Sequence, residues 1–288
     1  MTLEATNLTS ILLGAVAYDP KIVTIWEGFK RYFQQQGLSF DYVLYSNYER
    51  QVEALLEGTI HVAWNSPLAW VRSRRMAGAR HLKVRAIAMR DSDCDLTSMI
   101  VVRADSPIQG PADLRGRTVA VGAADSPQAT LIPLFYLRKQ GLMPTIDFSV
   151  ARHDLLRGKH GDHIGGERQA AAALMAGVAD AACMMESNYR LFGAEGILQP
   201  DSTRVLSRTP YYDHCNMTAG PGAFPGLIER FRELLLAMSY SDPEVRLLFD
   251  LEGLKGWKAG REEGYEQLES AVDALGFYDR QGNTTYLD

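Results

Sequence analysis

Cysteine is scarce in this chain. Three residues of 288, Cys94, Cys183 and Cys215, are an odd number with no CxxC spacing. That argues against a disulfide framework and leaves free thiols as the expectation. Long apolar runs are missing too. No stretch approaches the roughly 20 residues that a membrane helix needs, so no membrane insertion is expected. Charge of one sign never accumulates: 30 Lys and Arg stand against 35 Asp and Glu, for a net charge of −5. Nucleic acid and anionic membranes both call for a basic surface, so neither is the expected partner. No GxGxxG follows the first strand and no P-loop is present, so no cofactor is identified from a motif. Residues 1–10 hold no Lys or Arg and no apolar run of signal-peptide length. The expectation for the chain as written is a cytoplasmic protein, or a periplasmic one whose export signal was removed.

What is present is an ordinary globular composition, 46% hydrophobic and 23% charged. The length suits one large domain or two smaller ones. Residues 11–17 are a near-continuous apolar run, as in a strand buried on both faces. Ile22, Ile25, Trp26, Phe29 and Phe33 then fall on one helical face. Residues 40–45 read as a second strand. From 45 to 70 come a loop, a helix carrying Val52, Leu55 and Leu56, a stop at Gly58, and a strand alternating through Ile60, Val62 and Trp64. Asn65, Ser66 and Pro67 cap and open the next helix. Residues 84–89 are a fourth strand. This βαβαβαβ order predicts a mostly parallel sheet with helices on both faces. Such sheets bind small ligands at the carboxyl ends of their strands.

Residues 98–103 lead into a stretch at 105–116 rich in Pro and Gly, which reads as a crossover. The pattern then restarts, with strands at 117–122, 146–151 and 179–185 and helices at 129–139 and 169–176. A return strand near 203–207 and helices at 224–239, 243–250 and 261–275 are expected to complete the first lobe. The expected fold class is therefore α/β with two lobes, each a mostly parallel sheet flanked by helices. Residues 1–102 and 205–288 form one lobe and 103–204 the other, with an insertion at 153–168.

The segment 45–70 resembles "TDY…G.iDvAw.gPl.Y" of the phosphonate-type substrate-binding proteins of ABC transporters, a branch of the type II periplasmic-binding-protein fold. Residues 98–108 resemble that family's crossover, 112–122 its "aDLkGktfafg", 131–137 its "l.P.yyL" helix, and Arg152, His153 and Asp154 its "sHda". The likeness covers roughly the first 190 residues. It implies a small polar ligand in the cleft between lobes that close by a hinge, and ABC transporter membrane subunits as partners if the protein is exported. It implies ligand contacts by Tyr48, by Tyr18 at the lip, by the turn holding Ser126 and Gln128, and by Glu186. His153, in the matched triplet, and His214, in the polar run 209–216, are counted with them.

The family grips an oxyanion with a Ser-Thr-Ser-Gly turn at a helix N-terminus, where N–H groups and the helix dipole favour negative charge. Here Ser126 remains, but Pro127 and Gln128 replace the next two hydroxyls and Asp125 precedes them. Pro127 removes a donor. Asp125 adds a negative charge, or simply caps the helix. A simple phosphonate is not the expected ligand.

The insertion departs further. His153, His160 and His163 fall within eleven residues, among Gly158, Gly161, Gly165 and Gly166. His160, Asp162, His163 and Glu167 could coordinate a divalent metal. His160 and His163 could equally serve as acid and base. Arg157, Lys159 and Arg168 could hold an anion. A solvated loop with chance histidines is the plain alternative. Cys215 is a candidate nucleophile with His153 or His163 as its base, against a packed structural thiol. Glu186 ends the strand at 179–185, where it either reads a polar or cationic group or only favours the helix dipole.

The reading that results is a small-molecule binding protein. Its alternative is a cytoplasmic enzyme on the same fold, using the His-rich loop for acid–base or metal chemistry. Relatives of this fold include dehydratases of menaquinone synthesis and a thiamine-pyrimidine synthase, and fold alone does not decide function.

Overall fold

The apolar side chains spaced along residues 22–33 set the first layer of packing. In the computed structural model, which describes residues 10–285, all five are buried on one face of helix α1 (Lys21–Gln35). Burying each is worth about 1.5–3 kcal/mol. The chain divides into two units. The first takes the residues up to Cys94, Cys215–Glu262 and Arg280–Gly282. The second takes Asp95–His214, Glu263–Asp279 and the residues from Asn283.

The first unit holds a six-stranded sheet of β1 (Ser10–Val16), β2 (Ser39–Tyr45), β3 (Val62–Asn65), β4 (Arg85–Arg90), β10 (Asn216–Ala219) and β11 (Trp257–Ala259), in the order β11-β4-β10-β3-β1-β2. β1 runs parallel to β2 and β3, whereas β10 is antiparallel to both β3 and β4. Helices α2 (Tyr48–Leu56), α3 (Pro67–Ala79), α7 (Pro225–Ala237) and α8 (Pro243–Glu252) belong to the same unit. Its core is aromatic: Phe33 lies 4.8 Å from Phe40 and 5.0 Å from Phe231, and Trp64 meets Trp257 edge-on at 5.7 Å. Ser66 caps α3 by accepting the Ala69 N–H at 3.1 Å, with Pro67 in the first turn.

The second unit holds β5 (Ser98–Arg103), β6 (Thr118–Val121), β7 (Ser149–Arg152), β8 (Ala181–Met185) and β9 (Thr203–Arg208), in the order β7-β6-β8-β5-β9. β6 is parallel to β7 and β8, and β5 is antiparallel to β8 and β9. The helices are α4 (Ile132–Lys139), α5 (Gly165–Met175), α6 (Glu186–Ala194) and α9 (Glu266–Leu275).

Four expectations change here. Residues 203–207 do not return to the first sheet; they pair with β5 in the second. The returning strand is β10, whose sequence Asn-Met-Thr-Ala is too short and polar to announce itself. That strand also separates β3 from β4, so both sheets are mixed rather than mostly parallel. The last helix, α9, packs on α4 in the second unit, not on the first lobe. The unit boundaries accordingly fall at 94/95 and 214/215 instead of 102/103 and 204/205.

Candidate functional site

In the second unit the parallel strands β6, β7 and β8 deliver three connections to one edge of the sheet. These are the turn after Val121, the insertion after Arg152, and the start of α6 at Glu186. β5, running the other way, begins at the same edge with Ser98 opposite Met185.

The turn is wound wide. The Ser126 carbonyl accepts from both Thr130 and Leu131, giving a π-helical segment over Pro127–Leu131. Ser126 Oγ accepts the Ala129 N–H at 3.2 Å. The Asp154 carboxylate accepts the Ala124 N–H at 2.7 Å. Asp125 Oδ2 accepts from the Gly158 N–H at 2.5 Å and the His160 N–H at 3.2 Å. Its other oxygen, Oδ1, is buried with no hydrogen-bond partner, and the residue is only 3% exposed. Asp125 therefore anchors the insertion, and the N-cap of the turn is Ser126.

Gln128 is the hub of a buried network. Its Nε2 donates to the Gly161 carbonyl at 2.8 Å and to Glu167 Oε1 at 3.2 Å, and its backbone carbonyl accepts from Ser98 Oγ at 2.5 Å. Ser98 Oγ lies 2.7 Å from the Tyr212 hydroxyl. Glu167 is 2% exposed, and its Oε2 accepts from the Met185 N–H at 3.0 Å and Asn188 Nδ2 at 2.8 Å. Burial pushes the Glu167 carboxyl up; the bonds from Asn188, Met185 and Gln128 pull against it without cancelling it.

Glu186 opens α6 and is claimed by its neighbours. Thr97 Oγ1 donates to it at 2.9 Å, and Arg190 and Arg208 each at 2.6 Å. Partial burial opposes its charge, but Thr97, Arg208 and Arg190 outweigh that and hold the carboxyl below its usual range. Its carboxylate is thus an anchor for two arginines, with little left over to read a cationic group.

The histidines separate. His160 is buried and stands in the left-handed region at φ 50°. His163 Nδ1 accepts the Gly165 N–H at 3.1 Å. Because α5 begins only at Gly165, His163 lies outside the helix and does not face Glu167 at i, i+4. Among the described residues, His160, His163 and Glu167 do not gather as a group of metal ligands; the Glu167 oxygens are spent on amide donors. Burial lowers the His153 ring, whose Nε2 is buried with no hydrogen-bond partner. His214 Nε2 lies 3.4 Å from Gln128 Oε1.

The first unit presents the carboxyl ends of β1, β2 and β3 at one edge. Tyr18 follows β1, half-buried against the aromatic core. Tyr48 starts α2, fully buried with Val16, Val52, Leu56 and Ala69. Behind it runs a polar ladder that the sequence reading missed. Gln51 Nε2 donates to the Trp64 carbonyl and to Asn65 Oδ1, both at 2.9 Å, and Asn65 Nδ2 reaches Ser73 at 3.2 Å and Thr218 at 2.9 Å. The signal was available: Gln51 sits on the apolar stripe of α2, one position before Val52. Cys215 is 2% exposed in the apolar core of this unit.

The family model for the phosphonate periplasmic substrate-binding proteins of ABC transporters matches residues 15–265. Solved structures agree on the fold. PhnD1 of Prochlorococcus marinus, solved in complex with methylphosphonate, is 17% identical over 94% of this chain and 99% of its own, with a TM-score of 0.67. A protein of Xanthomonas citri solved bound to ATP is 16% identical over 93% of this chain and 98% of its own, with a TM-score of 0.72. The periplasmic aliphatic sulphonate binding protein SsuA of Escherichia coli is 16% identical over 97% of this chain and 94% of its own, with a TM-score of 0.58. The match spans both units, and with it the chain belongs to the phosphonate-type periplasmic substrate-binding proteins of ABC transporters.

Proposed function

We propose that this protein serves an ABC importer from the periplasm, carrying a small polar ligand that offers hydrogen-bond donors, not a phosphonate, to the second unit. The family assignment supports the periplasmic setting and the transporter partner over the cytoplasmic one expected from residues 1–10. Among the described residues no helix is long and apolar enough to cross a membrane. The observation that carries the ligand class is Asp125 Oδ1, a buried carboxylate oxygen with no hydrogen-bond partner in the turn where relatives of this sequence pattern carry a hydroxyl. A buried acceptor left unpaired costs about 1–3 kcal/mol, and an amine, amide or guanidine group on a ligand would recover it. A phosphonate dianion would bring only acceptors there, and two negative charges.

Native mass spectrometry of the protein purified from its own host tests this reading. A retained small molecule with nitrogen donors is the expected result. A retained phosphonate or sulfonate would refute it. If the protein emerges empty, a thermal-shift series of small amines and amides against methylphosphonate decides: stabilisation by methylphosphonate alone refutes the proposal, and stabilisation by the nitrogen compounds supports it.

A further inference from the structure

Thr130 holds a buried hydroxyl with no hydrogen-bond partner among the described residues. The residue is only 3% exposed. It stands in the π-helical segment Pro127–Leu131, where its own N–H and that of Leu131 both go to the Ser126 carbonyl. A threonine inside a helix commonly turns its hydroxyl onto the carbonyl one turn back. Here that carbonyl already takes two amides, and the hydroxyl makes no such bond. A valine would fill the same space without stranding a polar atom, so the hydroxyl works against the fold until a partner reaches it.

Thr130 lines a cavity of 510 Å³ within the second unit, bounded by α4, the edge strand β7 and α9. That volume suits a small molecule. Leu134, Met143, Val150 and Leu275 give it apolar walls. Arg138 and Arg152 are its charged residues, and among the described residues no Asp or Glu lines it. Arg138 comes from the last turn of α4 and also donates to the Ala274 carbonyl. Arg152 ends β7 and pairs with Asp154 at 3.5 Å. The rim is the loop after α4, where Thr145 takes a left-handed φ of 65°, a conformation rare for a β-branched residue. Asp147 pins that loop by accepting the Met143 N–H at 2.6 Å and by pairing with Arg115. Neither Asp125 nor Gln128 lines the cavity, so its contents lie apart from the polar network of the turn.

We infer that this cavity is a second ligand site, for a small carboxylate with an apolar tail. The guanidiniums of Arg138 and Arg152 hold the carboxylate, whose planar shape their donor forks match. Two positive groups, one of them shared with Asp154, suit a single negative charge. A step between the two χ1 rotamers open to a helical threonine lets the Thr130 hydroxyl donate to the same group. The tail lies against Leu134, Val150 and Leu275. A cation would meet two like charges, and a neutral tail would leave both guanidiniums unanswered. The site goes beyond the ligand class proposed above, and either can fail without the other.

Isothermal titration of the full chain with hexanoate, at low salt and neutral pH, tests it. Saturable binding is expected, with 1-hexanol at least about tenfold weaker. Arg138→Met and Thr130→Val should each weaken hexanoate at least about tenfold. Arg80→Met, an exposed change in the first unit, should leave it unaltered. Thr130→Val also guards against misfolding: without hexanoate it should unfold at the wild-type temperature or above, so a loss of binding in it belongs to the hydroxyl. Absence of saturable hexanoate binding would overturn the inference. Equal binding of 1-hexanol would overturn it too, as would an affinity indifferent to both Arg138→Met and Thr130→Val. Each of these failures would leave the nitrogen-bearing ligand class standing, because that class rests on Asp125.

Discussion

Gln128 lies against His214 across 86 residues of chain. With its Nε2 committed to Gly161 and Glu167, the side chain turns Oε1 toward His214 Nε2, 3.4 Å away. The reverse orientation of the amide would set its oxygen against the Gly161 carbonyl and the Glu167 carboxylate. One side chain in the altered turn thereby links the insertion, a buried carboxylate and a histidine.

Glu167→Leu should cost at least about 3 kcal/mol. The change leaves the Met185 N–H and Asn188 Nδ2 buried without their acceptor and takes one from Gln128. Urea unfolding monitored by circular dichroism checks it. A loss under 1 kcal/mol would mean that the network contributes little.

Stability should fall as pH drops below about 6.5. Burial lowers the His61 and His153 rings from their usual 6.5, so the unfolded chain binds protons that the folded chain refuses. Their contribution is full above 6.5, shrinks as pH falls, and levels off below the folded values. His61 Nδ1 also accepts the Leu12 N–H at 2.9 Å, which a proton there would forbid. Glu167 works the other way. Its raised carboxyl makes the folded state the better proton acceptor above 4.5, so that contribution is present at low pH and lost as pH rises through the raised value. Urea midpoints at pH 7.5 and 5.5 should differ, and His61→Gln should reduce the difference. The same pH difference in His61→Gln as in the wild type would contradict the His61 effect.

Gly161→Val should release the insertion. The new Cβ has no room at Ser126 and an unfavourable φ, at a cost of about 1–3 kcal/mol. Faster hydrogen exchange confined to residues 154–164 and the 124–131 turn is the expected pattern. Unchanged exchange would show that the clasp is loose already.

Arg90→Met should destabilise the first unit by about 3–5 kcal/mol. The partly buried guanidinium donates to Asp93 at 2.5 Å and to Glu252 at 3.1 Å, and both carboxylates are nearly inaccessible. Burial opposes its charge, but Asp93 and Glu252 hold it well above its usual range. Thermal unfolding followed at tryptophan, with Trp64 stacked 5.1 Å from this guanidinium, reads the loss directly.

The readable parts of the chain were the local ones. The α1 stripe, the Ser66–Pro67 cap, the restart after the crossover and the placement of Glu186 at a strand end all follow from neighbours a few residues apart. The altered oxyanion turn was also legible, because Pro127 and Asp125 declare their chemistry wherever they fold. The expected metal group was not. Three ligand types close in sequence gave no information on which atoms were committed elsewhere, and the amides of Met185, Asn188 and Gln128 took the Glu167 oxygens.

The sequence by itself determined the two α/β units and the loss of donors in the turn, since helical periodicity, capping and the missing proline N–H act over one or two turns of chain. The tertiary structure alone decided what fills that turn, where β10 returns and which unit receives α9. Asp125 meets Gly158 across 33 residues, Gln128 meets Glu167 across 39, and His214 meets Gln128 across 86. Contacts at such separations depend on the whole sheet order, and no window of sequence contains both partners.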